Sequence, residues 1–191
     1  MYLRGLSPIV YIMFLTHQSV LVVIDVQGQL AQKMHNKIDL FHNLQSLIAL
    51  AKHLGIPIIY TEQSPEKIGT TAEDISNLLT DITPISKTTF SCCGEEKFLK
   101  VLRSLKRNQI IVSGIEAHVC VFQTVYDLIQ KKYAVQVVAD AVSSRSPEHT
   151  TIAIERMRSS GATITCAQML ATELLRDSKH PKFREILSLI R

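Results

Sequence analysis

The chain has 191 residues, of which 46% are hydrophobic and 20% are charged, and it carries a formal net charge of +4. This length fits one globular domain with a sizeable core, and the composition is ordinary for such a domain. Because the excess of basic residues is small and scattered, we expect no nucleic-acid partner. The apolar run near the N-terminus is too short to span a bilayer, so we expect no membrane partner either.

Residues 1–19 are predicted to form an N-terminal extension ahead of a single domain at residues 20–191. The segment places one arginine before a short apolar run, MYLRGLSPIVYIMFL, which loosely resembles a secretory signal. Pro8 interrupts the run, however, and no A-x-A cleavage site follows it. Since Met13 comes just before the first convincing strand, we interpret the segment as an extension, such as one from an upstream start codon.

Short apolar, β-branched runs alternate with amphipathic helical patterns along the rest of the chain. The runs do not alternate with polar residues, which is typical of strands covered on both faces. We therefore expect an α/β domain of three layers (α/β/α) on a mostly parallel, Rossmann-like sheet of six strands. The predicted strands lie at residues 20–25, 56–61, 82–86, 109–114, 134–140 and 162–166, and the predicted helices at 38–54, 95–106, 119–131, 148–160 and 181–191.

The predicted sheet type indicates where a ligand would bind. In open parallel sheets, ligands lie beyond the carboxyl ends of the strands, at the point where the strand order reverses. The residues after the first and fourth strands are therefore the first candidates for a site. They are Asp25 and the stretch that follows Gly114.

The cysteine pattern indicates reduced thiols. The four cysteines form no CxxC pair, and the adjacent Cys92 and Cys93 are too close in sequence to reach ordinary disulfide geometry. Free thiols are typical of a reducing compartment, so we expect a cytoplasmic protein.

Three residues near the predicted strand ends could carry chemistry. Asp25 ends an apolar strand, where a carboxylate costs desolvation free energy unless it has a partner, although a turn or cap aspartate fits the same position. Lys87 follows the third apolar run, and by itself it would be interpreted as a solvated surface lysine. Cys120 lies near the start of the helix after the fourth strand. A free cysteine there is usually a small buried hydrophobe, but a helix N-terminus lowers a thiol pKa and offers amides to an oxyanion.

We expect no metal and no cofactor. The histidines show no HxH or HExxH spacing. His118 is two residues from Cys120, so on a helix the two side chains point in different directions, and we interpret His118 as a packing or surface residue. The glycines contain no GxG and no P-loop, which argues against a dinucleotide or nucleotide site.

The motifs around the candidate residues resemble those of isochorismatase-like hydrolases. They are VVIDVQG around Asp25, KTTFS beginning at Lys87, GIEAHVCV around Cys120 and DAVSSRS at 140–146. The resemblance runs from about Val20 to the C-terminus, and it is nearest to small isochorismatase domain-containing proteins of unassigned substrate. It implies the isochorismatase-like hydrolase fold. It also implies a homo-oligomer, because relatives form dimers or larger rings.

The resemblance also implies roles for single residues. Cys120 would be the nucleophile, Asp25 the general base and acid, and Lys87 their electrostatic partner. A cis peptide bond between Ile115 and Glu116 would direct the Glu116 amide, together with the Cys120 amide, at the oxyanion. The nicotinamidases of this superfamily carry an Asp-x-His metal cluster after the second strand. This chain has TEQS at 61–64 instead, so we do not expect metal-dependent nicotinamide hydrolysis.

The expected reaction is hydrolysis of a C–N bond in a small amide-type substrate, through a thioester on Cys120. If Lys87 outweighs Asp25, the pKa of the Cys120 thiol should fall below its free value of about 8.5. Three residues that flank the catalytic positions are candidates for substrate binding: Gln27, Gln63 and Phe90. Two alternatives stay open. One is hydrolysis of an enol ether, which needs protonation by the carboxylate, and the other is a catalytically silent binding or scaffold protein.

Overall fold

The structure, a computed structural model, describes residues 12–189. Within that part of the chain, one sheet contains six strands, which are β1 Ser19–Ile24, β2 Ile58–Gln63, β3 Ile85–Lys87, β4 Gln109–Ile115, β5 Ala134–Ser143 and β6 Thr163–Thr165. Their order in the sheet is β3-β2-β1-β4-β5-β6, and all neighbouring strands are parallel. Every residue of β1 and of β4 is buried, as expected for apolar strands at the centre of a covered sheet.

Helices cover both faces of the sheet. The longer helices lie against the sheet, and the shorter ones lie in the connections or at the C-terminus. A 3₁₀ turn spans Cys92–Gly94, and a π-helical turn spans Ala117–Val121. The helices are α1 Gly28–Gln32, α2 Lys37–Leu54, α3 Pro65–Ile68, α4 Glu73–Ser76, α5 Glu96–Ser104, α6 Phe122–Gln130, α7 Pro147–Ser159, α8 Ala167–Leu175 and α9 Phe183–Leu189.

The two faces of the sheet bury two separate apolar clusters. On one face, Leu21 and Val23 of β1 pack with residues of α2, α8 and α9. On the other, Val20, Val22 and Ile24 pack with residues of α5, α6 and α7. This alternation along a single strand follows from the two-residue repeat of β structure. It confirms the predicted three-layer α/β/α fold.

The clearest differences between the predicted and the observed elements concern one strand and two helices. The third strand is limited to Ile85–Lys87, because the preceding residues 77–84 form turns and bends. The helix predicted at residues 119–131 begins earlier, with a π-helical turn, and becomes α-helical only at Phe122. Helix α8 was not predicted, although its buried residues lie at helical spacing.

The end of the predicted N-terminal extension packs against the domain. Phe14 is 1% exposed and belongs to the core, and its amide donates a hydrogen bond to Glu173 Oε1 over 2.6 Å. The Leu15 amide donates to Gln109 Oε1 over 2.7 Å. The rest of that extension, residues 1–11, lies outside the described residues. Of the helices between residues 12 and 189, none is long and apolar enough to cross a membrane.

The strand order reverses between β1 and β4, and a glycine lets these two strands end side by side. Gly114 has φ of +115° and pairs with Ile24. A Cβ atom at position 114 would lie 2.1 Å from the Ile24 carbonyl oxygen, so only glycine fits there. The carboxyl ends of β1 and β4 therefore meet at the switch point, where parallel sheets bind ligands.

Candidate active site

Asp25 follows the last residue of β1, at the switch point. Its backbone lies in the left-handed region, with φ of +50°, which aspartate adopts more readily than most residues. The residue is 1% exposed, and both carboxylate oxygens have partners. Oδ1 accepts a hydrogen bond from Thr61 Oγ1 over 2.7 Å, and Oδ2 accepts one from Lys87 Nζ over 2.6 Å. The buried charge is thus paired and hydrogen-bonded, as burial requires.

Lys87 is the last residue of β3, and its side chain is fully buried. Besides Asp25, its ammonium group lies within hydrogen-bond distance of Gln63 Oε1 at 2.8 Å and of the carbonyl oxygens of Thr89 and Phe90 at 3.2 and 3.1 Å. An ammonium has three protons, so these four acceptors saturate it. Both members of the ion pair are therefore fixed by further hydrogen bonds, Asp25 by Thr61 and Lys87 by Gln63 and two loop carbonyls.

Cys120 lies in the π-helical turn after β4 and is 7% exposed. Its thiol is within electrostatic reach of both charges of the ion pair. Burial is the largest influence and raises the pKa of the thiol, the Asp25 carboxylate raises it further, and Lys87 lowers it. The structure thus brings Asp25, Lys87 and Cys120 into one site. The expectation that the thiol pKa would fall is wrong for this structure, because burial and Asp25 together outweigh Lys87.

The peptide bond between Ile115 and Glu116 is cis and joins β4 to the turn that carries Cys120. Glu116 is 8% exposed, and its carboxylate accepts a hydrogen bond from Arg145 Nε over 3.1 Å. Because that carboxylate is committed to Arg145, any role of Glu116 toward a substrate near Cys120 falls to its backbone amide.

The three residues expected to bind substrate lie in different environments. Gln27 is fully buried, and its side chain is used within the protein: Nε2 donates to the carbonyls of Gln63 and Gly69, and Oε1 accepts from the Gln63 amide. Gln63 Oε1 faces Lys87, and its Nε2 donates to a loop carbonyl. Phe90 is 54% exposed. Of the three, Phe90 alone has a side chain free to contact a ligand, and Gln27 instead attaches the loop after β1 to the end of β2 and to Gly69.

Two buried groups near the site were not singled out in the sequence. Thr61 Oγ1 donates to Asp25 and also lies 3.7 Å from Cys92 Sγ. Thr124 Oγ1 donates to the Cys120 carbonyl and accepts from the Cys92 amide. The available signal for Thr124 is its spacing of four residues from Cys120, which suits a threonine bonding back along a helix. No sequence pattern indicates its second partner, Cys92.

His118 lies beside the site but is engaged elsewhere. Its Nδ1 is 2.9 Å from Ser144 Oγ, and its ring centre is 4.6 Å from that of His149. Burial is the main cause that lowers its pKa. This matches the interpretation of His118 as a packing residue. Within residues 12–189, no group of three or more histidine, cysteine, aspartate or glutamate residues is arranged to hold a metal ion.

Comparison with known proteins identifies the family to which the chain belongs. The model of the isochorismatase domain matches residues 19–169 of the chain. Isochorismatase family protein 1A of Dictyostelium discoideum is 36% identical, over 90% of this chain and 85% of its own length. Isochorismatase domain-containing protein 2 of Xenopus laevis is 37% identical, over 90% and 83%. The chain therefore belongs to the isochorismatase domain family.

Solved structures agree with the fold. A protein described as the MAR1 ribonuclease of Caenorhabditis elegans is 38% identical and superimposes with a TM-score of 0.88, over 94% of this chain and 92% of that one. The YcaC gene product of Escherichia coli, described as an octameric hydrolase of unknown specificity, is 22% identical with a TM-score of 0.85, over 93% and 96%. The isochorismatase-like hydrolase fold is thus confirmed.

Proposed function

We propose that the chain hydrolyses the C–N bond of a small amide-type substrate, with Cys120 as nucleophile, Asp25 as general base and acid, and Lys87 as their electrostatic partner. The observation that carries the proposal is the buried ion pair between Asp25 and Lys87, which acts on a buried thiol at the switch point of the sheet. Burying two charges is costly, and a hydrophobic pair would often stabilise a core as well. A catalytic role gives a reason for the charges.

The raised thiol pKa fits a mechanism in which the proton leaves only when substrate is present. In the resting site, Cys120 is a neutral thiol, because burial disfavours the thiolate. When the sulfur attacks the substrate carbonyl carbon, its proton passes to Asp25 and the carbonyl π electrons move to the oxygen. The backbone amides of Glu116 and Cys120 would donate to that oxyanion, as in other acyl-transfer sites.

The second half of the reaction reuses Asp25. As the tetrahedral intermediate collapses, the C–N bond breaks and Asp25 returns its proton to the leaving amine, which leaves an acyl thioester on Cys120. Asp25, again ionised, then takes a proton from water, whose oxygen attacks the thioester. Collapse of the second tetrahedral intermediate breaks the C–S bond, Asp25 returns its proton to the departing thiolate, and the acid product leaves. Lys87 keeps Asp25 in place throughout, since its ammonium is fixed by the loop carbonyls.

Three rival functions make different demands on the site. Hydrolysis of an enol ether needs acid from Asp25 but no nucleophilic thiol, and a scaffold needs none of the three residues. RNA cleavage, suggested by the description of the C. elegans relative, needs cations free to meet phosphate. Lys87 is fully buried and saturated with acceptors, so it is not available to phosphate. The site is better suited to a small neutral group beside Phe90.

A panel of small amides and carbamates, with one enol ether and one RNA oligonucleotide, tests the proposal. The wild-type protein should hydrolyse an amide or a carbamate, and Cys120→Ala should abolish that activity in a folded protein. Enol-ether hydrolysis that survives Cys120→Ala and fails in Asp25→Asn would favour the first rival. Absence of turnover across the panel would favour a scaffold, and cleavage of the RNA alone would favour the third rival.

We also propose that the protein acts in the cytoplasm and as a homo-oligomer, with small molecules rather than nucleic acid or membranes as its partners. All four cysteines are free thiols, which suits a reducing compartment. Several large apolar side chains lie on the surface, and contact with further copies of the chain would cover them. Away from Phe90 and the site, the most exposed are Ile38, Met169 and Ile152.

A further inference from the structure

We propose that Thr124 and Cys92 are positioning residues, which couple the turn that carries Cys120 to the ion pair of Asp25 and Lys87. This inference rests on the proposed function of the site and adds two residues to it. Neither residue needs to contact substrate. Both are fully buried, and their hydrogen bonds connect the turn of Cys120, through Thr61, to Asp25.

Thr124 links the turn of Cys120 to the loop that follows Lys87. Its hydroxyl donates to the Cys120 carbonyl oxygen over 2.7 Å and accepts from the Cys92 amide over 2.9 Å. The bond to Cys120 is the ordinary one between a helical threonine and the carbonyl four residues earlier. The second bond is not needed by a helix. It fixes the distance between α6 and the 3₁₀ turn Cys92–Gly94.

Cys92 continues the connection to Asp25 through its side chain. Its Sγ lies 3.7 Å from Thr61 Oγ1, whose proton is directed at Asp25 Oδ1 over 2.7 Å. Because that hydroxyl proton is used, the contact is completed by the Cys92 thiol donating to Thr61. Burial raises the pKa of Cys92 to about 11, so the thiol keeps its proton for this role at neutral pH.

The loop that carries Cys92 also forms hydrogen bonds with Lys87. The Lys87 ammonium donates to the carbonyls of Thr89 and Phe90, which immediately precede the 3₁₀ turn. Ser91 Oγ donates to Asp127 Oδ2 over 2.6 Å, which adds a second attachment of the loop to α6. The loop of residues 88–94 is therefore connected by hydrogen bonds to the turn of Cys120, to Lys87 and, through Thr61, to Asp25. Small displacements of reacting groups lower rates strongly.

The test compares Thr124→Val, which keeps the shape but loses the hydroxyl, with Thr124→Ser, which keeps the hydroxyl. Thr172→Val is the matched control, because Thr172 makes the same backward bond to Gln168 on α8, away from the site. Two quantities are measured in each folded variant. One is kcat and KM for the amide that wild type hydrolyses, and the other is the pH midpoint of Cys120 alkylation by iodoacetamide, followed by peptide mass spectrometry.

We expect Thr124→Val to lower kcat at least about tenfold with KM changed less than about threefold, since chemistry depends on alignment more than binding does. The alkylation midpoint of Cys120 should move down toward the free value of about 8.5, because a loosened turn admits water to the thiol. Thr124→Ser should recover most of kcat, and Thr172→Val should match wild type in both measurements. Wild-type values in folded Thr124→Val would overturn the proposal.

Cys92→Ala provides a second, independent variant, which decides the question if Thr124→Val does not fold. It removes the contact to Thr61 without altering α6, and it should lower kcat with little change in KM. An unchanged kcat in folded Cys92→Ala would show that Cys92 is not a positioning residue. If Thr124→Val also fails to fold, that result would overturn the whole proposal. Cys120→Ala separates the two claims. If it remains active, the proposed function fails, and if it is inactive while both positioning variants match wild type, only the positioning fails.

Discussion

Asp25 and Lys87 form a buried ion pair, with 2.6 Å between Oδ2 and Nζ and with almost no exposed surface on either side chain. The two residues are 62 positions apart in sequence. Their meeting depends on β2, which lies between their strands and contributes Thr61 and Gln63 as further partners. The pair thus links the ends of three neighbouring strands.

Removing one partner of this pair should destabilise the fold. Lys87→Met leaves the Asp25 carboxylate buried without its counter-charge, at a cost of about 3–5 kcal/mol in the free energy of unfolding. The double variant Asp25→Asn with Lys87→Met should lose less than the sum of the single variants, because it leaves no unpaired charge. Urea denaturation measures all three. Lys52→Met is the control, since its pair with Asp81 is exposed and should contribute little. Strict additivity would contradict the account.

The Cys120 thiol should react slowly at neutral pH. Because burial and Asp25 raise its pKa, the midpoint of its alkylation by iodoacetamide should lie above the free value of about 8.5. Asp25→Asn should lower that midpoint, and Lys87→Met should raise it further. Peptide mass spectrometry across a pH series gives the midpoints, with the half-buried Cys166 as internal reference. A wild-type midpoint below the free value would show an activated resting thiolate instead.

The free energy of unfolding should fall in alkaline solution, because burial also raises the pKa of a second thiol, that of Cys92. The pKa of Cys92 is raised to about 11, so between the unfolded value and that pH the folded state holds a proton that the unfolded state has lost. The free energy of unfolding should therefore decrease by about 1.4 kcal/mol per pH unit for this thiol. Denaturation of wild type, Cys92→Ala and Cys166→Ala from pH 8 to 10.5 measures it. The slope should be shallower in Cys92→Ala alone, and parallel curves would refute the prediction.

Gly114→Ala should damage the fold far more than the same change at Gly55. Both glycines have positive φ, but an added Cβ at Gly114 meets the backbone of Ile24, whereas at Gly55 nothing lies within 4 Å. We expect about 1–2 kcal/mol for Gly55→Ala from backbone conformation alone. Gly114→Ala should cost more than about 3 kcal/mol or prevent folding, because β1 and β4 must separate. Equal thermal stability of the two variants would contradict the close approach of these strands.

The sequence predicted the sheet well because its strands are apolar runs, whose burial on both faces does not depend on details of packing. The switch-point rule placed Asp25 and the segment after Gly114 at one edge, and the strand order agrees with that placement. The thiol pKa was predicted in the wrong direction. A sequence reveals the charges and the helix near Cys120, but it does not reveal how far the fold removes the thiol from water.

Other features depended on partners that come together only in three dimensions. Gln27 was expected to contact substrate because of its position after Asp25, yet its amide group is used to hold the neighbouring loop. The Thr124 hydroxyl accepts a hydrogen bond from the backbone amide of Cys92, and no sequence pattern indicates such a partner. The buried residues of α8 have helical spacing, but the helix begins two residues after a three-residue strand ends. The sequence pattern therefore does not show where the helix starts.

Cys120 should become acylated during turnover, and mass spectrometry of the quenched enzyme can detect the acyl group. The wild-type protein is mixed with the amide that it hydrolyses and acidified within milliseconds to seconds. We expect a mass increase equal to the acyl group on the peptide that contains Cys120. It should appear before the steady state and be absent from Cys120→Ala. Turnover with no adduct at Cys120, together with full activity of Cys120→Ala, would contradict this expectation.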